Sequence, residues 1–235
     1  MALPMRFHKP DLFITMTCNP QWPEIVSALP PGSHWRHHQD ICARVFWLKF
    51  KSMMSDILDK HILGKVVAYV FRIEWQARGL PHVHLLLILA SALLSARMID
   101  AVVSAEVPDP EAHPELHQLV QDFMLHTPCD QDPDAGCRAG KPCKRHFPKD
   151  MSRNTVIMHD AYPKYRRRGR YQCSVKNRLV TDDWVVPHNA FLLLRYGCHI
   201  NVEIASHIKC FKYVYKYGTL LPSCVYQCLT SRSQC

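Results

Sequence analysis

The feature that most constrains the fold is a pair of β-rich runs separated by a tight turn. Residues 65–75 are rich in Val, Tyr, Phe and Ile, and residues 82–89 read HVHLLLIL. Residues 78–81, Arg-Gly-Leu-Pro, lie between them and are typical of a turn. Two such runs joined by a short turn pair as an antiparallel hairpin. The chain is therefore expected to contain an antiparallel sheet.

The rest of the pattern places helices beside this sheet. Residues 11–17 predict a short strand that ends at an Asn-Pro turn, and residues 40–62 predict a long helix with apolar residues every three or four positions. Further segments are predicted as helix at 24–29, 91–107, 115–125 and 202–217, and as strand, turn and strand at 185–201. The predicted fold class is α+β, a central antiparallel sheet flanked by helices, with a Cys-rich loop subdomain inserted at about 92–150.

Composition narrows the class of protein. The chain has 235 residues, 48% of them hydrophobic and 21% charged, which supports a core and excludes wholesale disorder. No run of about 18 uncharged apolar residues occurs, and residues 1–10 lack the apolar segment of a secretory signal. We therefore expect an intracellular protein with no membrane partner. The net charge of +9 favours a polyanionic partner, nucleic acid first.

Two histidines in the second run provide half of a metal site. His82 and His84 are two residues apart, so on a strand their side chains point to the same face. Glu74 lies across the turn and is the predicted third ligand, with Gln76 as the fallback. Two imidazoles and a carboxylate leave open positions on Mg²⁺ or Mn²⁺, which can then polarise a phosphate. The alternative is a pair of histidines on a solvated strand face.

Two tyrosines near the end of the chain are candidate nucleophiles. Tyr213 and Tyr217 are four residues apart and would share one face of a helix. Each phenol could attack a phosphodiester and form a phosphotyrosine link. Lys216 could lower the phenol pKa, and Lys212 could hold phosphate. The alternative is that these are ordinary aromatic residues on a basic helix face.

A basic run interleaved with tyrosines is a candidate DNA-binding segment. It suits a nucleic-acid backbone with stacked bases, although a nuclear localisation signal and a solvated charge run remain open. The predicted DNA-binding residues are Lys164, Arg166, Arg167, Arg168 and Arg170, together with Lys212.

The cysteine pattern indicates a second metal site. The chain has eleven cysteines, and without a signal peptide reduced thiols or metal ligands are favoured over disulfides. Cys129, Cys137 and Cys143 lie in a stretch rich in Pro, Gly and Asp, with His126 and His146 at its edges. Three thiolates and an imidazole can hold a structural zinc, and the predicted set is the three cysteines with His146. A loop with unpaired thiols is the alternative.

With these residues placed, the chain resembles the Helitron helicase-like domain, the N-terminal Rep/HUH endonuclease part of Helitron transposases. The similarity covers about residues 5–218, and residues 219–235 form a divergent tail. The matching segments occur in family order: PDLFITMTCNPQWPEI, RIEWQARGLPHVHLLLIL, CKRHFPK, YPKYRRRGR, VVPHNAFLLLRYGCHINVEI and IKCFKYVYKY.

The resemblance implies single-stranded DNA nicking and strand transfer, as in rolling-circle transposition. His82 and His84 match the HUH metal ligands, and Tyr213 and Tyr217 match the paired nucleophiles that form 5′-phosphotyrosine. The resemblance also implies a nuclear location and a covalently linked helicase. This sequence contains no P-loop motif, so we expect no helicase motor here. Two alternatives stay open: a catalytically inactive nucleic-acid-binding remnant, and a zinc-stabilised interaction module.

Overall fold

A computed structural model describes residues 9–76, 79–130, 135–137, 142–158, 162–205 and, for the backbone only, 225–229. Within these ranges the fold is α+β, which confirms the predicted class. The strands are β1 (Leu12–Thr17), β2 (Val66–Trp75), β3 (Pro81–Leu89), β4 (Cys173–Val175), β5 (Arg178–Val180), β6 (Ile200–Ile204) and β7 (Val225–Leu229). The helices are α1 (Pro23–Val26), α2 (Gln39–Leu58), α3 (Ala96–Val102), α4 (Pro114–Phe123) and α5 (Ala190–Tyr196).

Five strands form one sheet in the order β6-β1-β3-β2-β7, and each neighbouring pair is antiparallel. The predicted hairpin of β2 and β3 lies at its centre. The start of β1 is fixed to the end of β3, because the Leu89 backbone N–H donates to the Asp11 carboxylate at 2.7 Å. β7 lies within the predicted divergent tail and pairs with the outer edge of β2.

One face of the sheet packs against α2. On β3 the side chains of Val83, Leu85 and Leu87 are fully buried, and they share a hydrophobic cluster with Phe46 and Phe50 of α2. Apolar residues four apart on a helix lie on one stripe, so the long helix covers this face with a continuous apolar surface. Since side chains alternate along a strand, His82 and His84 must face the opposite side.

A second hydrophobic cluster lies beside the sheet and is built on Trp184. It joins α4, the Cys-rich segment, the β4–β5 hairpin and α5. Its buried members run from Val107 to Leu193 along the chain, well past the predicted limit of the insertion at 150. The Cys-rich segment is therefore part of a packed subdomain.

Three predicted elements differ from the structure. The predicted helix at 91–107 is limited to α3. Residues 185–201 were predicted as strand, turn and strand, but this segment contains α5, which Asn189 caps by accepting a hydrogen bond from the Leu192 backbone N–H. The predicted helix at 202–217 is wrong at its start, because β6 extends to Ile204; its residues 206–217 lie outside the described part of the chain.

Candidate active site and metal centres

The candidate active site lies on the sheet face opposite α2. His82 and His84 are adjacent on this face of β3, with ring centroids 4.5 Å apart and ring planes at 75°. Both side chains are largely buried. The central strand thus presents two imidazoles together on one face, as the sequence predicted.

The neighbouring strand β1 orients both rings. The Thr17 hydroxyl lies 2.7 Å from Nδ1 of His82, and the Phe13 ring stacks on His84 at a centroid distance of 5.7 Å. In the tautomer in which Nδ1–H of His82 donates to the Thr17 hydroxyl, Nε2 carries the lone pair that a metal ion needs; in the other tautomer the hydroxyl donates to Nδ1. Thr17 therefore acts as a positioning residue, which the sequence reasoning missed.

Glu74 completes the cluster from β2. It lies directly opposite His82 in the strand register, and its Oε2 atom is 3.6 Å from Nε2 of His84. Its Oε1 atom is 3.3 Å from Nε of Arg72. Gln76, the predicted fallback, follows the end of β2 and is exposed. The structure thus brings Glu74 to the histidine pair and leaves Gln76 at the turn.

Burial keeps both imidazoles neutral. Desolvation, and then repulsion from His84, His199 and Arg145, lowers the pKa of His82 from 6.5 to about 3. Burial also lowers the pKa of His84, although Glu74 opposes this. Neutral imidazole is the form that binds metal, so near pH 7 both rings can serve as ligands. Imidazole and carboxylate are ligand types that a divalent ion with nitrogen and oxygen ligands accepts. Among the described residues, only the second centre described below brings three or more histidine, cysteine or carboxylate ligand atoms within 4.8 Å of one another.

Strand β6 adds polar groups to the same face. In the strand register Asn201 lies opposite Thr15, which in turn lies opposite His84. His199 precedes β6, and its Nδ1 atom is 2.7 Å from the Phe123 carbonyl oxygen. The sequence reasoning also missed this contribution. The alternation of His199, Asn201 and Glu203 with apolar residues was the signal that could have revealed it.

The predicted nucleophiles Tyr213 and Tyr217, and the lysines Lys212 and Lys216, lie outside the described residues. Their position relative to the histidine pair stays a prediction.

The second candidate centre is a cluster of one histidine and three cysteines. His126, Cys129, Cys137 and Cys143 each offer one ligand atom, and these atoms lie within 4.8 Å of one another. Nε2 of His126 is 3.5 Å from Sγ of both Cys137 and Cys143. A tetrahedral ion with the usual zinc–ligand lengths separates such atoms by about 3.6 Å. The cluster could therefore hold a metal ion.

The fourth residue of this cluster differs from the prediction. The predicted set contains His146, whereas the structure places His126 with the thiols. The ring of His126 stacks on Phe147 at a centroid distance of 4.4 Å and lies parallel to Trp184. His146 is exposed, and only its backbone N–H reaches back, to the Cys143 carbonyl oxygen. In the sequence, His126 and His146 lie at the two edges of the Cys-rich stretch. Packing of the His126 ring with Phe147 and Trp184 determines that His126 lies with the thiols.

Most of the basic run is held by internal partners. Arg166 and Arg168 both pair with Glu106, at 2.9 and 2.6 Å. Arg167 is buried and donates to backbone carbonyls that include Val185, so its role is structural and differs from the predicted DNA contact. Lys164 pairs with Asp150 at 3.2 Å. DNA binding by Lys164, Arg166, Arg168 and Arg170 stays a prediction.

The fold and the two centres define an α+β domain with a histidine pair on the central strand of an antiparallel sheet. Residues 1–87 match the model of the family described as the Helitron helicase-like domain at the N-terminus. This match confirms the resemblance over β1, α1, α2, β2 and most of β3, including His82 and His84. No curated protein matches the chain. None of the helices in the described ranges combines the length and apolar character of a membrane span.

Proposed function

We propose that this chain is a metal-dependent endonuclease domain that nicks and rejoins single-stranded DNA in rolling-circle transposition. The observation that carries the proposal is the convergence of His82, His84 and Glu74 on one sheet face. A divalent ion bound by these residues would polarise the scissile phosphate. The ligand set includes imidazole and carboxylate, which suits Mn²⁺ as well as Mg²⁺. The partner is DNA and the expected location is the nucleus.

The chain's own residues supply the remaining chemistry. The Thr17 hydroxyl hydrogen-bonds to Nδ1 of His82 and orients the ring, and burial shields both imidazoles from bulk water. The phenol oxygen of Tyr213 or Tyr217 attacks phosphorus, forming an O–P bond as the bond to the 3′ oxygen breaks. The products are a 5′-phosphotyrosine and a 3′-hydroxyl that has gained a proton. A phenol with an ordinary pKa of about 10 is a poor nucleophile at pH 7, and Lys216 is the proposed residue that lowers this pKa.

The direct test is covalent adduct formation on a single-stranded oligonucleotide with Mn²⁺, detected on a denaturing gel. We expect an adduct that the double variant Tyr213→Phe, Tyr217→Phe abolishes. The matched control is Tyr69→Phe, because Tyr69 packs with the α2 cluster on the other face of the sheet. Absence of an adduct from folded protein at every Mn²⁺ concentration would overturn the nuclease proposal and leave nucleic-acid binding without catalysis.

For the second centre we propose zinc as the resident ion. Besides its spacing, the cluster contains one thiol that is stabilised as thiolate. Burial opposes ionisation of Cys143, but backbone N–H donors from Phe147 and Arg145 outweigh it and lower its pKa, whereas burial raises the pKa of Cys129 to about 12. We expect one zinc per chain, lost in Cys137→Ser. The control Cys173→Ser alters a cysteine of the same hydrophobic cluster that is not a ligand, and should retain the ion.

A further inference from the structure

The segment that follows Cys143 is fixed at both ends. At its start, the backbone N–H groups of Arg145 and Phe147 bond to the Cys143 thiol, and the Phe147 ring stacks on His126. At its end, the Lys149 backbone N–H donates to the Asp183 carbonyl oxygen at 2.8 Å. The Cys/His cluster therefore fixes the start of residues 143–149, and Asp183 fixes their end.

This segment presents cations to a cleft at the edge of the active-site face. Arg145 and Lys149 line an open cleft of about 400 Å³ together with Glu203 of β6. Glu203 faces the same side of the sheet as His84, because β6, β1 and β3 are in register. The Lys149 ammonium donates to the Arg145 carbonyl oxygen at 2.7 Å and lies 4.9 Å from the Phe147 ring centre. The cleft therefore includes one residue, Glu203, of the sheet face that carries the histidines.

The positive charge of this segment reaches the histidine pair. Arg145 lies close enough to His82 and His199 to interact electrostatically with both imidazoles. Arg145 is also exposed, in contrast to the buried Arg167 and the paired Arg166 and Arg168. An exposed guanidinium beside a metal site is suited to bind a phosphate of a nucleic-acid strand.

We infer that Arg145 and Lys149 bind a backbone phosphate of single-stranded DNA next to the histidine site, and that the metal ion in the Cys/His cluster holds them in place. This inference rests on the proposed function, since it assigns the strand's path to that site. It gives the Cys-rich subdomain a role in binding substrate. Loss of the ion would then weaken DNA binding although every residue of the histidine site is unchanged.

The test measures affinity of the full chain for a fluorescent single-stranded DNA oligonucleotide without added Mg²⁺ or Mn²⁺. In zinc-loaded protein, Arg145→Gln should weaken binding about three- to tenfold and reduce the slope of log affinity against log salt by about one. The matched control Arg44→Gln changes an exposed arginine of α2, on the far side of the sheet, and should bind as the wild type does. Equal affinities of the two variants would overturn the inference.

The second part of the test concerns the metal ion of the Cys/His cluster. It compares Cys137→Ser with Cys137→His, which keeps a zinc ligand at this position. We expect Cys137→Ser to bind DNA as weakly as Arg145→Gln does, and Cys137→His to recover zinc and affinity together. Circular dichroism checks that both variants are folded, and chelation of zinc from the wild type gives the same comparison without substitution. Wild-type affinity in folded, zinc-free protein would contradict the inference. If affinity follows zinc but no tyrosine adduct forms, only the nuclease proposal fails.

Discussion

The carboxylate of Glu74 lies 3.6 Å from the imidazole of His84, measured from Oε2 to Nε2. The two residues come from adjacent strands, and the register that joins them also sets Glu74 opposite His82. A one-residue slip of β2 would turn Glu74 to the α2 side of the sheet, since side chains alternate. The site therefore depends on strand register as much as on its ligands.

Glu74→Gln should weaken Mn²⁺ binding at least about tenfold, because it removes the negative charge of the proposed carboxylate ligand. His84→Ala should weaken binding further, because it removes an imidazole ligand altogether. Isothermal titration of the folded chain with Mn²⁺ measures both. Glu24→Gln is the control, since Glu24 lies on α1 and pairs with Lys49. An unchanged affinity in Glu74→Gln would show that this carboxylate is not a ligand.

The core of this site could be predicted from the sequence because its signals are local. The β2–β3 hairpin and the side on which His82 and His84 lie follow from a turn and from strand alternation. The polar residues that β6 adds to this face were harder to predict from the sequence, because β6 pairs with β1, which lies nearly two hundred residues earlier. The ring stack that selects His126 over His146 depends on Trp184, which also lies far from His126 in the sequence.

Asp56 is a buried carboxylate that joins α2 to α5. It accepts hydrogen bonds from Tyr196 at 2.5 Å and from Lys60 at 2.7 Å, and it pairs with Arg195. Burial favours its neutral form, but these partners outweigh burial and lower the pKa of Asp56. Asp56→Ala should reduce the free energy of unfolding by about 3 kcal/mol, as measured by urea denaturation.

The neighbouring Asp59 provides the control for Asp56. Asp59 is exposed and accepts a hydrogen bond from the Ser55 hydroxyl at 2.8 Å. Asp59→Ala should reduce the free energy of unfolding by about 0.5 kcal/mol or less, because exposed interactions contribute little to stability. Equal losses for the two variants would show that the buried pairing does not stabilise the helix contact.

Gly197 ends α5 in the left-handed conformation, with φ of 51°. A Cβ at this position would meet no atom within 4 Å, so the cost of a side chain is a backbone cost. Gly197→Ala should therefore reduce the free energy of unfolding by about 1 kcal/mol, and Gly197→Asn by less, because Asn tolerates this conformation. Urea denaturation would contradict this account if Asn cost more than Ala.

Two capping residues, Asn189 and Gly197, explain why the prediction of strand, turn and strand for 185–201 was wrong. Asn189 and Gly197 are the start and stop signals of a short helix, and the seven residues between them form α5. The apolar run of α5 reads equally well as a strand when periodicity alone is used. The capping residues therefore predict this helix better than periodicity does. Within α5 the buried Leu192 and Leu193 pack against two different hydrophobic clusters.

His188 should make the folded state sensitive to acid. Its side chain is buried, and desolvation lowers its pKa from 6.5 to about 4. Between these values the unfolded chain binds more protons than the native chain, so stability is complete above about pH 6.5 and is lost as the pH falls toward 4. One such group contributes a slope of at most about 1.4 kcal/mol per pH unit. Urea denaturation across this range should show a smaller slope of unfolding free energy against pH in His188→Leu. The control His37→Leu changes an exposed histidine and should keep the wild-type slope. Identical slopes in all three proteins would exclude His188 as the acid-sensitive group.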